Sequence, residues 1–406
     1  MQQQQLIPHL FRTEYSKICA VLSRLFGIAH LEVAEDIASE TFVLALETWS
    51  YKGIPENPVA WLYIVAKNKA RNYIQRNTLF ATKIASTLQQ ATNAIAIIDL
   101  SEEHIADSQL QMLFTLCHPA IPPEAQIGLS LRILCGFGID EIATAFLTNK
   151  ETINKRLFRA KEKLRAEHIP IQLPPPGEID KRVDTVLTTL YLLFNEGYYS
   201  ESNDSIIRDE LCTEAMHLIE LLMHNKQTDL PKVNALYALM CFHASRFPAR
   251  KNGNGEMILY EQQDEALWDQ ELITKGAYYL NKASQGSALS KYHLEAGIAY
   301  WHTIKTDTPD KWEHILQLYN RLLQIEYSPI AALNRTYALA KANGKTVAIA
   351  EAEKLCLTDN HYYLTLLGEL YRELDNNKAK QYFEKAISLA KTQTDKKVLS
   401  KKIEQL

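Results

Sequence analysis

Apolar positions recur every three or four residues over most of the chain, and no useful stretch alternates apolar with polar, so helices rather than strands are predicted. Residues 10–78 hold three such amphipathic patterns, broken near Gly27–His30 and again at Tyr51–Pro58. Residues 79–106 are weaker, rich in Ala, Thr and Gln, and read as a linker with some helix in it. A second helical block over 107–168 stops at IPIQLPPPGE, where Pro170 and Pro174–Gly177 forbid continuation and favour an extended spacer. That spacer, 169–178, is the clearest predicted boundary. Beyond it, 179–289 reads as a helical domain and 290–406 as helical repeats, so the fold class is all-α.

Leu367, Gly368 and Tyr371, followed by Ala379, Phe383 and Ala386, match the small and large packing positions of a tetratricopeptide helical pair, with Asp375–Asn377 as the turn. The match is one residue short across that turn. A weaker relative flanks Asn343 and Gly344. Stacked hairpins of this kind bury their faces on one another, which predicts a small solenoid.

The strongest local signal is GIDEIATAFLTNKETINKRLFRAKEKL at 138–164. Its pattern predicts a helix over Glu141–Phe146, a turn at Leu147–Asn149, and a second helix over Lys150–Ala166 capped by Asn149, which is helix-turn-helix spacing. Ile142, Ala143, Ile153, Leu157 and Leu164 are the expected apolar contacts. Between 150 and 165, seven Lys or Arg stand against two Glu, a local charge of +5. Lys150, Glu151, Asn154 and Lys155 at the leading end are placed for base edges, whereas Arg156, Arg159 and Lys163 are placed for phosphates.

The first block has a different charge pattern. Glu32, Glu35, Asp36, Glu40 and Glu47 make one helix acidic, and the segment 61–83 carries Lys67, Lys69, Arg71, Arg76 and Lys83 without an acid. Asp36, Thr41 and Phe42 in a D-x-x-x-x-T-F arrangement, the PxxWL start at Pro58–Leu62 and the AxNxxxNxxxR run from Ala66 to Arg76 resemble region 2 of the extracytoplasmic-function (ECF) group of sigma-70 factors. Residues 107–166 resemble region 4. The resemblance implies core RNA polymerase, through its beta-prime clamp and beta flap regions, and promoter DNA as partners. It implies that Asp36, Glu40 and Phe42 bind polymerase, that Lys67, Asn68, Arg71, Asn72, Gln75 and Arg76 face a melted minus-ten element, and that the second basic helix reads the minus-thirty-five element. Asn72 stands where that family usually has Asp, and Leu147 replaces a common turn Gly. Trp61 and Tyr73 are aromatic enough to stack on bases, but packing in the core is the stronger expectation.

YLLFNEGY at 191–198, LCTEAMHL at 211–218, ASRFPAR at 244–250, QDEALWD at 263–269 and SPIAALNR at 328–335 resemble the extension of an ECF subgroup with a tetratricopeptide-like domain after region 4. Glu265 departs from the Arg common there. The extension is expected to be regulatory, with Asn195, Glu196, Arg246 and Arg250 lining a contact surface for a protein or small-molecule regulator, against the plainer reading of Glu196 with Arg246 or Arg250 as a structural ion pair within helical packing. A stand-alone helix-turn-helix regulator with a sensing repeat domain is the alternative, and it requires neither the acidic helix nor a strand-capturing one.

Over 406 residues the net charge is −4, which would argue against a nucleic-acid partner were the charge not so segregated. The six cysteines are dispersed without a CxxC pair and read as buried thiols of a reducing compartment. The start MQQQQLIPHLFRTEY lacks a basic run followed by an apolar stretch, and no segment reaches 18 consecutive apolar residues, so a cytoplasmic protein without a membrane span is expected. Asn195, Glu196, His243, Arg246, Arg250, Asp264, His293 and His302 are a tempting polar set, yet no phosphate loop, HExxH or nucleophile elbow accompanies them. Neither Cys117–His118 nor Cys241 with His243 has a second spaced pair, so no metal, cofactor or enzymatic activity is expected.

Overall fold

The computed structural model describes residues 3–81, 98–146, 148–199, 205–250, 258, 260–286, 288–390 and 393–406. Among them are eighteen α-helices and no strand, in agreement with the all-α expectation. The expected turn residue Leu147, the cation Lys83 and most of the predicted linker lie outside the described residues. The chain divides into two compact units, 1–233 and 234–406.

The first unit is organised around α1 (Gln3–Phe26). Tyr15, Ile18, Cys19 and Leu22 follow one another at helical spacing and are fully buried, so this helix is packed along an entire face. It lies against α2 (Leu31–Lys52), α3 (Pro58–Ala81), α4 (Glu102–Leu116) and α5 (Pro123–Leu134). Gly27 and Gly53, at φ of +78° and +80°, turn the chain out of α1 and α2 in a conformation that costs a side-chain-bearing residue about 1 kcal/mol. Asn57 caps α3, its Oδ1 accepting from the Ala60 N–H at 3.0 Å, with Pro58 opening the helix.

The two helices expected over 138–164 are α6 (Ile139–Ala145) and α7 (Lys150–Ala166). Asn149 caps α7 as expected, its side chain accepting from the Thr152 N–H at 2.8 Å. Ile153, Leu157, Ala160 and Leu164 form the buried stripe of α7, and Ile142, Ala143 and Ala145 that of α6. On α5, a β-carbon at Gly128 would sit 2.9 Å from Leu157 Cδ2, so this glycine sets how closely α7 approaches.

The predicted spacer is not where the chain divides. Pro176 opens α8 (Pro176–Tyr199), which pairs with α9 (Ser205–Met223) and returns to the helices before it. The Arg182 guanidinium donates to the Phe114 carbonyl at 2.7 Å, completing the carboxyl end of α4, and the Thr189 hydroxyl donates to Gln126 Oε1 at 2.6 Å. Val183, Val186, Leu187 and Leu190 are wholly buried.

The second unit takes in most of α10 (Pro231–Ala244), then α11 (Gln270–Ala283), α12 (Lys291–Trp301), α13 (Pro309–Ile325), α14 (Pro329–Asn343), α15 (Lys345–Leu355), α16 (His361–Tyr371), α17 (Asn376–Leu389) and α18 (Gln393–Glu404). From α11 onward each helix packs on its chain neighbour. Asp269, Thr308, Ser328, Asn360 and Asp375 cap α11, α13, α14, α16 and α17 through side-chain oxygens, which explains the crisp starts. One apolar core runs through α12 to α18, with Trp312, Leu333, Leu367 and Phe383 among its members. No helix among the described residues is long and apolar enough to cross a membrane.

Candidate nucleic-acid interface

Helix α3 is amphipathic, and its buried face consists of Leu62, Ala66 and Ala70. Asn68, Asn72, Gln75 and Arg76 are exposed at spacings of four, three and one, so they form one polar row along the helix. Lys67 and Arg71 flank that row, half-exposed. Trp61, Tyr63 and Tyr73 of this helix pack against neighbouring helices. Trp61 meets Trp49 edge-on at 5.4 Å between ring centroids, and Tyr73 meets Phe26 likewise at 5.4 Å. The Tyr63 hydroxyl donates to Glu14 at 2.6 Å, and burial together with that carboxylate raises its pKa well above the ordinary phenol value. The exposed row therefore offers cations and amides, while Trp61, Tyr63 and Tyr73 are engaged with α1 and α2.

Helix α7 presents Lys150, Glu151, Asn154, Lys155, Arg159 and Lys163 to solvent, with Arg156 half-exposed. Lys150 pairs with Asp140 at 2.9 Å and Lys163 with Glu167 at 2.6 Å. Exposed pairs of this kind are worth about 0–1 kcal/mol, so both lysines can exchange their partner for a phosphate.

The acidic helix α2 differs from expectation in two ways. Asp36 and Glu40 are exposed, Glu40 pairing with Lys69 at 2.6 Å, but Phe42 is buried against Phe11, ring centroids 5.0 Å apart. Phe42, expected to bind polymerase, packs α2 on α1 and forms part of the floor of a groove there. Exposed apolar residues on the groove side include Val43 and Leu46, each about half-exposed, and Ile54 beyond, while Leu44 and Tyr51 are exposed outside the groove. Val43, Leu46 and Ile54 line it with Ile7, Phe11 and Trp49. Two bulky apolar residues three apart on an otherwise charged face were the signal available in the sequence.

The expected contact surface of the extension falls into separate units. Asn195 and Glu196 stand on α8 in the first, and burial raises the Glu196 carboxyl above its usual range. Arg246 and Arg250 belong to the second. There Arg246 Nη2 lies 3.4 Å from His243 Nδ1 and its guanidinium carbon 5.5 Å over the Tyr260 ring, which His302 meets edge-on at 5.3 Å. Burial and Arg246 push both histidines down, His302 to about 3, so they stay neutral. Asp264 caps a short turn through the Ala266 N–H, and His293 bonds the Ser290 hydroxyl at the start of α12. Neither joins the cluster as a catalytic partner. Five cysteines are buried, but Cys356 is exposed at the end of α15, contrary to the expectation of six buried thiols.

Residues 10–79 match the Sigma-70 region 2 family, and residues 182–284 match a family of unknown function, DUF6596. The chain is 34% identical over 370 residues to the uncharacterized protein R00370 of Rhizobium meliloti, covering 89% of this chain and 87% of that one. It is 26% identical over 144 residues to the ECF RNA polymerase sigma-E factor of Haemophilus influenzae, covering 34% of this chain and 75% of the other. No solved structure matches.

Proposed function

We propose that the chain, which belongs to one family with the uncharacterized R00370 of Rhizobium meliloti and matches Sigma-70 region 2 over residues 10–79, is a promoter-specific sigma factor that brings core RNA polymerase to a dedicated set of promoters. In this reading Asp36 and Glu40 on α2 meet the beta-prime clamp, since carboxylates repel DNA phosphates and attract a cationic protein surface. The Val43 and Leu46 strip adds apolar area to that contact. The row Asn68, Asn72, Gln75 and Arg76 receives the displaced bases and backbone of the minus-ten element. The helix-turn-helix of α6 and α7 reads the minus-thirty-five duplex, Asn154 and Lys155 toward base edges and Arg156 and Arg159 toward phosphates, and region 4 also meets the beta flap.

The observation that carries this reading is the polar row on α3. It is continuous, bears no acid and lies within the segment matching sigma region 2. We assign the second unit, with its tetratricopeptide-like helices, a regulatory role without catalysis, acting where polymerase and chromosome are found. The test adds purified chain to core polymerase and maps strand opening on fragments of the source genome with permanganate. Reproducible opening at discrete sites is the expected result. A chain that binds core enzyme yet opens no site would remove the proposal.

A further inference from the structure

Within the second unit, the segment 260–269 returns to the end of α10, where the Asp269 N–H donates to the Ser245 carbonyl at 2.8 Å. Lys305, just past α12, ties the same segment down through the Gln263 carbonyl. Two of its side chains are buried with a polar atom unmatched. Gln263 and Trp268 are 5% and 4% exposed, yet neither Gln263 Oε1 nor Trp268 Nε1 has a hydrogen-bond partner among the described residues. Buried polar atoms of native chains are almost always satisfied, so an unmatched acceptor and an unmatched donor in one short segment call for an explanation.

Their neighbours carry positive charge. The Tyr260 ring stacks on Trp268, centroids 6.2 Å apart, and the Arg246 guanidinium lies over its other neighbourhood at 5.5 Å. Lys311 is 2% exposed, and its ammonium donates to the Ile304 carbonyl at 2.5 Å and lies 3.4 Å from the Tyr260 hydroxyl. No carboxylate of the described residues pairs with it, because Asp307 accepts from Lys341 and from the Trp312 indole instead. The neutral His302 ring meets Tyr260 edge-on and makes no side-chain hydrogen bond among the described residues.

The surroundings of Tyr260 therefore combine a demand for negative charge at Lys311, an acceptor for Trp268 Nε1 and a donor for Gln263 Oε1. Water can meet the last two but brings no charge. A carboxylate meets the first two, and a hydroxyl or ammonium beside it meets the third. We propose that this cluster is a binding site for a small hydroxy- or amino-carboxylate. Its carboxylate accepts from Trp268 and neutralises Lys311, and its hydroxyl or amine donates to Gln263. The site lies outside residues 10–79, so binding stands whether or not the chain is a sigma factor. Only its use as a transcriptional signal rests on that reading.

The test titrates the dialysed full-length chain calorimetrically with L-lactate, L-alanine and L-serine, using acetate and inorganic phosphate as controls. At least one of the first three should bind about tenfold or more tighter than either control, because acetate leaves the Gln263 acceptor unmet. Gln263→Leu should bring that compound down to the affinity of acetate. Trp268→Phe, which keeps a ring on Tyr260, should weaken it by about tenfold. Binding of all three no tighter than acetate or phosphate would overturn the site, and so would full discrimination in a folded Gln263→Leu chain. Should a variant fail to fold, hydrogen exchange of wild-type peptides over 260–269 decides. A saturating concentration of the tightest compound should slow it about tenfold, and unchanged exchange overturns the site. A chain that binds its carboxylate yet opens no promoter loses the sigma reading and keeps the site.

Discussion

The Phe383 ring occupies the space that a side chain on residue 368 would need: a β-carbon built on Gly368 would lie 2.5 Å from Phe383 Cε1. Helices α16 and α17 therefore approach with nothing between backbone and ring. Gly368→Ala should destabilise the chain by about 1–2 kcal/mol, because overpacking of about 1–3 kcal/mol outweighs the helix propensity that alanine brings. Urea unfolding followed by circular dichroism checks this, and Phe383→Leu in the same chain should recover part of the loss.

The two basic helices should fail differently. Asn72→Ala with Arg76→Ala should reduce strand opening while leaving upstream duplex binding nearly intact. Asn154→Ala with Lys155→Ala should weaken duplex binding and relax its sequence preference, lowering the salt slope by about 1 for the lost cation. Footprinting and permanganate reactivity on the same fragments separate the effects. Identical profiles for both variants would end the division.

Glu214 on α9 is pushed up to about 7 by burial, with the Cys135 thiol and Arg12 close by. The unfolded carboxyl ionises near its ordinary value of 4.5, so between that pH and about 7 the folded chain holds the extra proton. Stability is therefore full at acid pH and falls as pH rises through this window, by on the order of 3 kcal/mol for this group. Glu214→Gln should flatten that slope when urea midpoints are compared at pH 5 and pH 8.

His302 acts in the opposite sense. Burial and the neighbouring Arg246 and Lys311 hold it down to about 3, so below its ordinary 6.5 the unfolded chain takes up a proton that the folded one refuses. Its contribution is lost as pH falls from about 6.5 toward 3. His302→Phe keeps a ring against Tyr260 and Trp312 and should make the chain less sensitive to acid over that range, as read from its melting temperature.

Cys356 is the exposed thiol among six. Ellman titration of the native chain should give about one thiol, and the denatured chain all six. Labelling at Cys356 leaves the first unit chemically unchanged.

Elements that depend on local periodicity are legible in the sequence alone. The stripe Ile153, Leu157 and Leu164, the cap Asn149 and the packing role of Trp61 follow from spacing and side-chain type. Contacts between distant segments are not. Phe42 looks like an exposed anchor in a charged helix until Phe11, about thirty residues upstream, is set against it. Glu35 and Lys161 each sit in a charge run whose ordinary reading is a solvated face, and only tertiary packing pairs them. Gly128 carries no local mark, since its purpose is set by Leu157 on another helix.

The return of α8 and α9 onto the helices before the spacer bears on how such chains can be recombined. A chimera spliced at 170–176 would strip a continuous hydrocarbon strip, Val183, Val186, Leu187 and Leu190, from its counterpart and bare it to water. It would also remove Arg182 from the carbonyl it covers and Glu210 from Arg12. The seam that respects the packing lies near Val233, after Lys232 has paired with Asp180 and Asp184, so α8 and α9 would be inherited with the first unit.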